Sequence, residues 1–372
     1  TVITTGGLGP TKDDLTKEVC AEYFGLKLIS DKKSLEKIES YFKNKTIPMP
    51  QTNAKQALMP EGSVIFENSN GTAPGCAMEK DGKILIVLPG PPREMKAMFE
   101  QSVVPYLEKF TDSVIKSHSV RTFGIGESAM AERVGDLLDM ENPTVAPYAK
   151  SGESLLRVTA KANSEEEAEE MLTPVIEKIK KEFGINVYGI DKESIEEAVV
   201  ELLKEKKLKV ATAESCTAGL VAKRITDIAG ASEVFECGIV SYSNDIKNKI
   251  LGVEKELLDK YTAVSEAVAA EMALGARKCS GADIAVSVTG LAGPGSDEFG
   301  REAGLCYIAL TDGKRIWTKK VQTGHTKGSD SRDYNRIVFA SNVLNEIRLF
   351  ASYYPEIRPD FKDIEEYINS FR

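Results

Sequence analysis

A strand that leads through a glycine-rich loop into a helix recurs along the chain, and this unit restricts the fold more than any other feature. It first occurs where the apolar run at residues 2–5 precedes Gly-Gly-Leu-Gly-Pro and a helical pattern with Leu15, Val19 and Tyr23 on one face. It recurs at residues 84–88, which precede Pro-Gly-Pro-Pro and a second helical pattern. Alternation of this kind predicts helices packed on a parallel sheet.

The middle of the chain has a different pattern, with short strands predicted at residues 119–123, 155–160 and 186–188. Two helices accompany these strands. The second begins at a capping box formed by Ser164 and Glu167, and Pro174 inside its pattern predicts a kink or a break. These features predict a small α+β module that links two larger domains.

The last large block again alternates strands and helices. It opens with a capping box at Ser194 and Glu197, and its clearest strands are predicted at residues 209–213, 238–242, 284–289 and 306–310. The sequence therefore predicts an α/β protein, in which two α/β domains with a sheet and flanking helices are joined by the small α+β linker module. The predicted boundaries are 1–112 and 192–345 for the two domains, 113–191 for the linker and 346–372 for a tail without an assigned function.

Charge and composition exclude several functional classes. The formal net charge of −9 opposes non-specific nucleic-acid binding, because phosphate contacts supply most of that affinity. No apolar run approaches the roughly 18 residues of a membrane span. The six cysteines form no C-x-x-C pair and there are two histidines, which argues against a disulfide framework, a zinc ribbon and a multi-histidine metal centre. We therefore expect a cytoplasmic protein and, since Thr1 lies within an apolar run without an initiator methionine, a fragment of a longer chain.

A candidate nucleophile lies in residues 213–219, Ala-Glu-Ser-Cys-Thr-Ala-Gly, between a predicted buried strand and a helix. At such a junction backbone N–H groups point outward and the helix dipole favours developing negative charge, so Ser215 is well placed for nucleophilic attack. The alternative is an ordinary helix N-cap, since Ser, Thr and Gly are also common there.

A candidate base lies in residues 241–247, Ser-Tyr-Ser-Asn-Asp-Ile-Lys, where a strand enters a helix with Asn244 as the predicted N-cap. Lys247 falls in the first helical turn, where the positive helix end, together with burial, would lower its pKa from about 10.4 towards neutrality. Asp245 would raise that pKa, so we expect its carboxylate to point away. The alternative is a solvated surface lysine.

A third motif is the glycine-rich run at residues 287–295, Ser-Val-Thr-Gly-Leu-Ala-Gly-Pro-Gly, which follows a predicted strand. Glycines there allow close approach of the backbone to a phosphate. The alternative is a connection that is simply rich in turns.

Together these motifs resemble the C-terminal domain of the CinA family, the nicotinamide mononucleotide deamidases. The similarity includes, in order, A-E-S-C-T-A-G, D-I-A-G-A-S, V-S-Y-S-N-D-I-K, Y-T-A-V-S-E and S-V-T-G-L-A-G-P. Ala218 departs from the glycine that the family usually has. The resemblance implies hydrolysis of the carboxamide of nicotinamide mononucleotide (NMN) to nicotinate mononucleotide and ammonia, without a cofactor, by a homodimer.

The resemblance also implies roles for individual side chains. Ser215 attacks the amide carbonyl, Lys247 takes its proton and then protonates the leaving ammonia, and Tyr242 supports the pair by hydrogen bonding. From their loop positions we expect two further groups to bind substrate, Thr217 and Gly219 at an oxyanion site, and Thr289, Gly290, Gly293 and Arg336 around ribose and phosphate.

The first block resembles the molybdopterin-binding-like domain found at the N-terminus of CinA proteins, and the linker resembles a KH-type module. The first resemblance rests on T-T-G-G-L-G-P-T-K-D-D, N-S-N-G-T-A-P-G and L-P-G-P-P-R-E-M. Association of that domain with metal-dependent ADP-ribose hydrolysis implies that Asp13 and Asp14 contact a divalent metal or a diphosphate. The alternative is that they cap the following helix. Because the family's opening strand and its G-D-E-L segment do not occur in this sequence, we expect an incomplete ADP-ribose pyrophosphatase-like site.

Two other functions compete with the amidase. One is a non-catalytic binding protein associated with competence or DNA damage, which the acidic charge disfavours. The other is an enzyme that uses Cys216 as its nucleophile, although we expect Cys216 to be a small packing residue. A histidine base would have to be His118 or His325, and neither lies in a motif of the family.

Overall fold

The computed structural model describes residues 1–150, 153–356 and 360–371, which form several sheets with flanking helices. This confirms the predicted α/β class. The chain divides into two compact units, residues 1–112 and residues 113–372. Residues 357–359 and 372, which belong to the predicted tail, lie outside the described residues. Among the described helices, none is long and apolar enough to cross a membrane.

The first unit contains one four-stranded sheet and one separate strand pair. Its strands are β1 (Val2–Thr5), β2 (Leu28–Ser30), β3 (Leu58–Pro60), β4 (Val64–Phe66), β5 (Gly75–Lys80) and β6 (Lys83–Leu88). Its helices are α1 (Thr16–Phe24), α2 (Lys32–Asn44), α3 (Pro92–Met98) and α4 (Val104–Leu107). The sheet order is β1-β6-β5-β4, with β1 and β6 parallel as the repeated unit predicted. β5 runs antiparallel to both of its neighbours, which the repeated unit did not predict.

Helix α1 buries the face opposite to the apolar stripe noted in the sequence. Leu15, Val19 and Tyr23 are all exposed, whereas Ala21 and Phe24 are buried in a core cluster. The stripe has helical spacing, but spacing alone does not determine which face meets the sheet.

The linker module is an antiparallel sheet covered by a long helix. Its strands are β7 (Val114–Phe123), β8 (Thr144–Lys150), β9 (Glu153–Ala162) and β10 (Val187–Ile190), in the order β10-β7-β9-β8. Its helices are α5 (Glu127–Arg133), α6 (Gly135–Leu138) and α7 (Glu165–Phe183). The side chain of Ser164 accepts a hydrogen bond from the backbone N–H of Glu167, as the capping box predicted. Helix α7 continues through Pro174, so this proline does not split the helix.

The remaining elements build the largest sheet. Its strands are β11 (Val210–Glu214), β12 (Phe235–Val240), β13 (Ile284–Leu291), β14 (Leu305–Thr311), β15 (Arg315–Gln322) and β16 (Lys362–Asp363). The helices are α8 (Ile195–Lys206), α9 (Leu220–Thr226), α10 (Asn244–Leu251), α11 (Lys255–Tyr261), α12 (Glu266–Ser280), α13 (Ser331–Tyr353) and α14 (Ile364–Asn369).

The strand order in this sheet places the carboxyl ends of β12, β11 and β13 side by side. The order is β12-β11-β13-β14-β15-β16, and β11 is parallel to both of its neighbours. Every residue of β11 is buried, as expected for a strand with helices on both faces. Helices α8, α9 and α13 pack on one face of the sheet, and α10, α11 and α12 pack on the other. Ligands of such sheets bind beyond the carboxyl ends of strands where the strand order reverses, here around β11.

The boundary predicted at residue 345 falls inside a helix. Helix α13 runs to Tyr353, and its Ile347 and Phe350 are buried in the main core of the large sheet. The sequence pattern did not separate this last buried stretch from the polar segment after it. Beyond the helix, β16 pairs with β15 at the edge of the sheet.

Candidate active site

The three sequence motifs meet at the carboxyl ends of β11, β12 and β13. Ser215 directly follows β11, Tyr242 lies just beyond β12, and the glycine-rich run follows from β13. Lys247 reaches the same place from α10. The side chain of Ser243 caps this helix by accepting a hydrogen bond from the backbone N–H of Ile246, so the N-cap lies one residue before the predicted Asn244.

Lys247 is fully buried, which corrects the alternative of a surface lysine. Its Nζ lies 3.0 Å from Ser215 Oγ, 2.7 Å from the carbonyl oxygen of Ser241 and 3.3 Å from that of Tyr242. A neutral amine has two hydrogens and one lone pair. If the two carbonyls accept the two hydrogens, the lone pair of Lys247 faces the hydroxyl of Ser215. This arrangement is suited to a base that removes the proton of Ser215.

Burial also determines the protonation state of Lys247. Desolvation lowers the pKa of the Lys247 ammonium to about 8, and the neighbouring Cys216 opposes this with a smaller effect. Asp245 is exposed, and no carboxylate of the described residues lies within ion-pair distance of Lys247. With a pKa of about 8, roughly a tenth of Lys247 is neutral at pH 7, and this fraction rises steeply with pH.

The Ser215–Lys247 pair opens into a cavity of about 320 Å³. Its lining residues are Ser215, Cys216, Tyr242, Lys247, Ala263, Val264, Thr289, Gly290, Leu291, Ala292, Gly293, Pro294, Gly295, Ser296, Asp297 and Arg332. Ser215, Lys247 and the glycine-rich run therefore face one cavity.

Three of the predicted substrate-binding residues line this cavity. Thr289 is buried, and its hydroxyl donates to the carbonyl of Ala263 at 2.6 Å, which fixes the opposite wall. Gly290 has no room for a side chain, because an added Cβ would lie 2.4 Å from the carbonyl oxygen of Leu305. Gly293 has φ of 99°, a left-handed conformation that favours glycine.

The other three predicted substrate-binding residues lie behind the nucleophile and, among the described residues, are absent from the cavity lining. The N–H of Gly219 donates to the side chain of Glu214 at 3.0 Å, so it is not free to stabilise an oxyanion. The hydroxyl of Thr217 also donates to Glu214, and its carbonyl accepts from Arg336 at 2.9 Å. The carboxylate of Glu214 therefore occupies the N–H of Gly219 and the hydroxyl of Thr217, and Arg336 binds the backbone of the nucleophile turn instead of lining the cavity.

Tyr242 contributes to the pair differently from the prediction. Its backbone carbonyl, not its hydroxyl, accepts from Lys247, and the exposed phenol ring carries its hydroxyl 3.2 Å from Arg332. Arg332 also donates to the carbonyl of Gly293 at 2.7 Å and so bridges two walls of the cavity. Arg336, which the sequence analysis placed around ribose and phosphate, lies one helical turn further along α13 and is not among the described residues that line the cavity.

Cys216 has the properties of a packing residue. It is buried in the main core, and burial raises the pKa of its thiol to about 12. A thiol with that pKa is almost entirely protonated near neutral pH and is a poor nucleophile.

Neither histidine contacts the pair. His118 lies between the carboxylates of Glu169 and Asp191 in the linker module. His325 is exposed, and its ring packs against Tyr334 with centroids 3.9 Å apart.

In the first unit, Asp13 and Asp14 both accept hydrogen bonds from the hydroxyl of Thr11. Neither caps α1, whose N-cap is Leu15. Asp14 lines a separate cavity with Gly6, Gly7 and other residues, and Asp13 is not among the described residues that line it. No cluster of three or more His, Cys, Asp or Glu side chains in the described part of the chain is arranged to hold a metal ion. The contact of Asp13 and Asp14 with a metal or a diphosphate stays a prediction.

The fold and the site together define an α/β protein with a buried Ser–Lys pair at the carboxyl edge of a mixed sheet. Sequence profiles of three domains match the chain in order: the probable molybdopterin binding domain over residues 1–109, the damage-inducible protein CinA KH domain over 117–189 and the CinA C-terminal domain over 192–350. A CinA-like protein of Kosmotoga olearia is 49% identical over 324 residues, which are 87% of this chain and 79% of that protein. The chain therefore belongs to the CinA family.

Solved structures with related sequences cover less of the chain. The competence/damage inducible protein CihA from Agrobacterium tumefaciens is 34% identical and has a TM-score of 0.39, with 42% of this chain and 93% of that chain covered. The competence damage-inducible protein A (ComA) from Klebsiella pneumoniae is 29% identical and has a TM-score of 0.40, with 43% and 96% covered.

Proposed function

We propose that the chain is a nicotinamide-nucleotide amidase that hydrolyses NMN to nicotinate mononucleotide and ammonia. The observation that carries the proposal is the buried Lys247, whose Nζ lies 3.0 Å from Ser215 Oγ and has no carboxylate partner among the described residues. Serine needs a base within hydrogen-bond reach to act as a nucleophile, and a neutral lysine supplies one.

The reaction proceeds in two balanced steps. Ser215 Oγ attacks the carboxamide carbon while its proton passes to Lys247, and collapse of the tetrahedral intermediate breaks the C–N bond as Lys247 returns that proton to the leaving ammonia. Water then attacks the acyl-enzyme, Lys247 accepts one of its protons, and that proton returns to Ser215 as the ester C–O bond breaks. The product leaves as the carboxylic acid, which ionises by giving its proton to the solvent or to the released ammonia. Both steps use one proton carrier and need no redox partner.

Arg332 is the proposed partner for the substrate phosphate. It is the arginine of the cavity lining, and two of its N–H groups already donate to Gly293 and Tyr242, which orients the guanidinium. Replacement of Arg332 by alanine should raise KM for NMN about tenfold or more, the order of a charge-assisted hydrogen bond. The KM for nicotinamide riboside, which lacks the phosphate, should change little. Equal effects on both substrates would contradict the assignment.

The activity is tested by incubation with NMN in the presence of EDTA, with ammonia and nicotinate mononucleotide quantified separately. We expect stoichiometric release of both by the wild type, and by the His325→Ala variant because His325 lies outside the cavity. Ser215→Ala and Lys247→Ala should be inactive while remaining folded. Loss of turnover in His325→Ala with retention in Lys247→Ala would replace the lysine mechanism by a histidine mechanism. Activity that EDTA abolishes and a divalent ion restores would contradict the metal-independent reaction.

The remaining expectations from the resemblance, a homodimer in the cytoplasm, belong to this proposal. Sedimentation analysis of the purified chain tests the first of them.

A further inference from the structure

Glu214, the residue that precedes the nucleophile, is a buried carboxylate at the end of β11. Its Oε2 accepts from the hydroxyl of Thr217 at 2.6 Å and from the backbone N–H groups of Gly219 and Val221 at 3.0 and 3.1 Å. Its Oε1 accepts from the N–H of Ala222 at 2.8 Å. One side chain therefore binds four donors of the segment that carries Ser215.

These hydrogen bonds complete the start of helix α9. The first four N–H groups of a helix have no partner within the helix and must be satisfied elsewhere. In α9, Leu220 donates to the carbonyl of Thr217 and Lys223 to that of Gly219, while Val221 and Ala222 donate to Glu214. The negative charge also lies at the positive end of the helix, where it is favourable.

The turn that Glu214 holds has an uncommon backbone conformation. Ala218 has φ of 51° and Gly219 has φ of 90°, so two consecutive residues lie in the left-handed region. Alanine has a steric cost there, and such conformations persist where the surroundings fix them. Glu214 binds the residues on both sides of Ala218, namely Thr217 and Gly219, and so fixes the turn at its most strained point.

The main chain of Glu214 also connects the nucleophile to the base. Its carbonyl oxygen accepts from the N–H of Ser241 at 2.9 Å, and the carbonyl of Ser241 accepts from Lys247 Nζ at 2.7 Å. The side chain of Glu214 holds the segment of Ser215, and its backbone holds the carbonyl that orients Lys247. Ser215 and Lys247 are thus both positioned through contacts with Glu214.

From these contacts we propose that Glu214 is a positioning residue, which keeps Ser215 Oγ within reach of Lys247 Nζ. The positioning role for turnover rests on the proposed amidase function.

Replacement of Glu214 by glutamine tests the proposal. Glutamine has nearly the same shape as glutamate, but an NH2 group replaces one of the two oxygens. Since both oxygens of Glu214 accept hydrogen bonds, this NH2 group faces an N–H or O–H donor whichever way the amide is turned. We expect kcat for NMN to fall about 100-fold, the cost of a displacement of roughly 1 Å in a reacting group, with KM within about threefold. In the crystal structure of this variant, Ser215 Oγ should lie beyond hydrogen-bond distance of Lys247 Nζ.

Glu346→Gln is the matched control. Glu346 is also a buried glutamate, and it pairs with Lys319 at 2.8 Å. Neither residue is among the described residues that line the cavity. We expect its kcat to stay within about threefold of the wild type. If Glu214→Gln does not fold, Thr217→Val removes one of the four hydrogen bonds and should lower kcat by a smaller factor, again without a change in KM.

Two results would overturn the proposal: a Glu214→Gln variant with kcat within about threefold of the wild type, or one whose crystal structure keeps the Ser215–Lys247 contact. If the wild type does not hydrolyse NMN, the proposed function fails, but the structural comparison still decides whether Glu214 positions the pair.

Discussion

Lys17 and Lys247 are both buried lysines near the start of a helix that follows a loop from a strand, one in each compact unit of the chain. Lys17 Nζ donates to the backbone carbonyl of Gln56 at 3.0 Å and lies 3.9 Å from the sulfur of Met59. Lys247 Nζ also donates to backbone carbonyls, but it lies beside Ser215 Oγ at the wall of a cavity. Burial lowers the pKa of both ammonium groups.

The difference shows what turns a desolvated lysine into a base. Carbonyls hold the N–H groups of both side chains, and desolvation favours the neutral form of both. Of the two lysines, Lys247 has a hydroxyl in position to give its proton to the free lone pair, and it lines the cavity beside Ser215. Burial therefore favours the neutral form of both lysines, and the contact with Ser215 Oγ distinguishes Lys247 as the base of the proposed mechanism.

The largest expected effect is on turnover. Lys247→Met removes the base while keeping an unbranched side chain, and we expect kcat for NMN to fall about 1,000-fold, within the range of general-base contributions. Lys17→Met makes the same replacement at the other buried lysine and should leave kcat within about threefold, since no reacting group lies near it. Steady-state kinetics on both variants, with circular dichroism to verify folding, measures the contrast. Similar losses in the two variants would show that burial, not the Ser215 contact, is what turnover requires.

The next effect is the pH dependence of the wild type. With a Lys247 pKa of about 8, the neutral base is the minor form below that pH. The value of kcat/KM should therefore rise about tenfold per pH unit up to a midpoint near 8 and level off above it. A midpoint near 6.5, the ordinary pKa of histidine, would indicate a different base.

A smaller effect concerns stability. A pKa of about 8 instead of 10.5 corresponds to a loss of about 3 kcal/mol of unfolding free energy, because the folded chain binds the Lys247 proton less tightly than the unfolded chain. The full loss is present below pH 8 and disappears as the pH rises towards 10.5. Lys247→Met also gives up hydrogen bonds worth about 1 kcal/mol each, so we expect a net gain on the order of 1 kcal/mol at pH 7.

Denaturant unfolding of this variant at pH 7 and at pH 10 measures the gain, which should shrink at the higher pH. Lys249→Met, a change at an exposed lysine of the same helix, is the control and should show neither the gain nor its pH dependence. A Lys247→Met variant that is less stable than the wild type at pH 7 would contradict the pKa assignment.

The structure brings Ser215 and Lys247 into contact, but it places part of their predicted surroundings elsewhere. The local motifs alone left a helix N-cap and a surface lysine as alternatives, and it was the resemblance to the CinA family that paired the two residues. The N–H of Gly219 was predicted to face an oxyanion because it lies at a junction between a strand and a helix. In the structure this N–H donates instead to the side chain of Glu214. A pattern of residue types does not show which donors are already used within the protein.

Arg336, predicted to lie around ribose and phosphate, binds the nucleophile turn, whereas Arg332 lines the cavity. The two arginines are one turn apart on α13, so helical periodicity places both on the same side of the helix. Arg332 reaches the cavity and Arg336 reaches the back of the nucleophile turn because of where α13 begins relative to the sheet. The position of this helix start depends on how α13 packs, which the local sequence does not specify.

The most direct test of the account is the titration of Lys247 itself. NMR of lysine side chains labelled with 13C at Cε, with the Lys247 signal assigned from the Lys247→Met variant, reports its protonation state in the absence of substrate. We expect a midpoint near pH 8. A midpoint for Lys247 above pH 10 would show that the lysine is protonated when the enzyme works, and the Ser215–Lys247 mechanism would then be wrong.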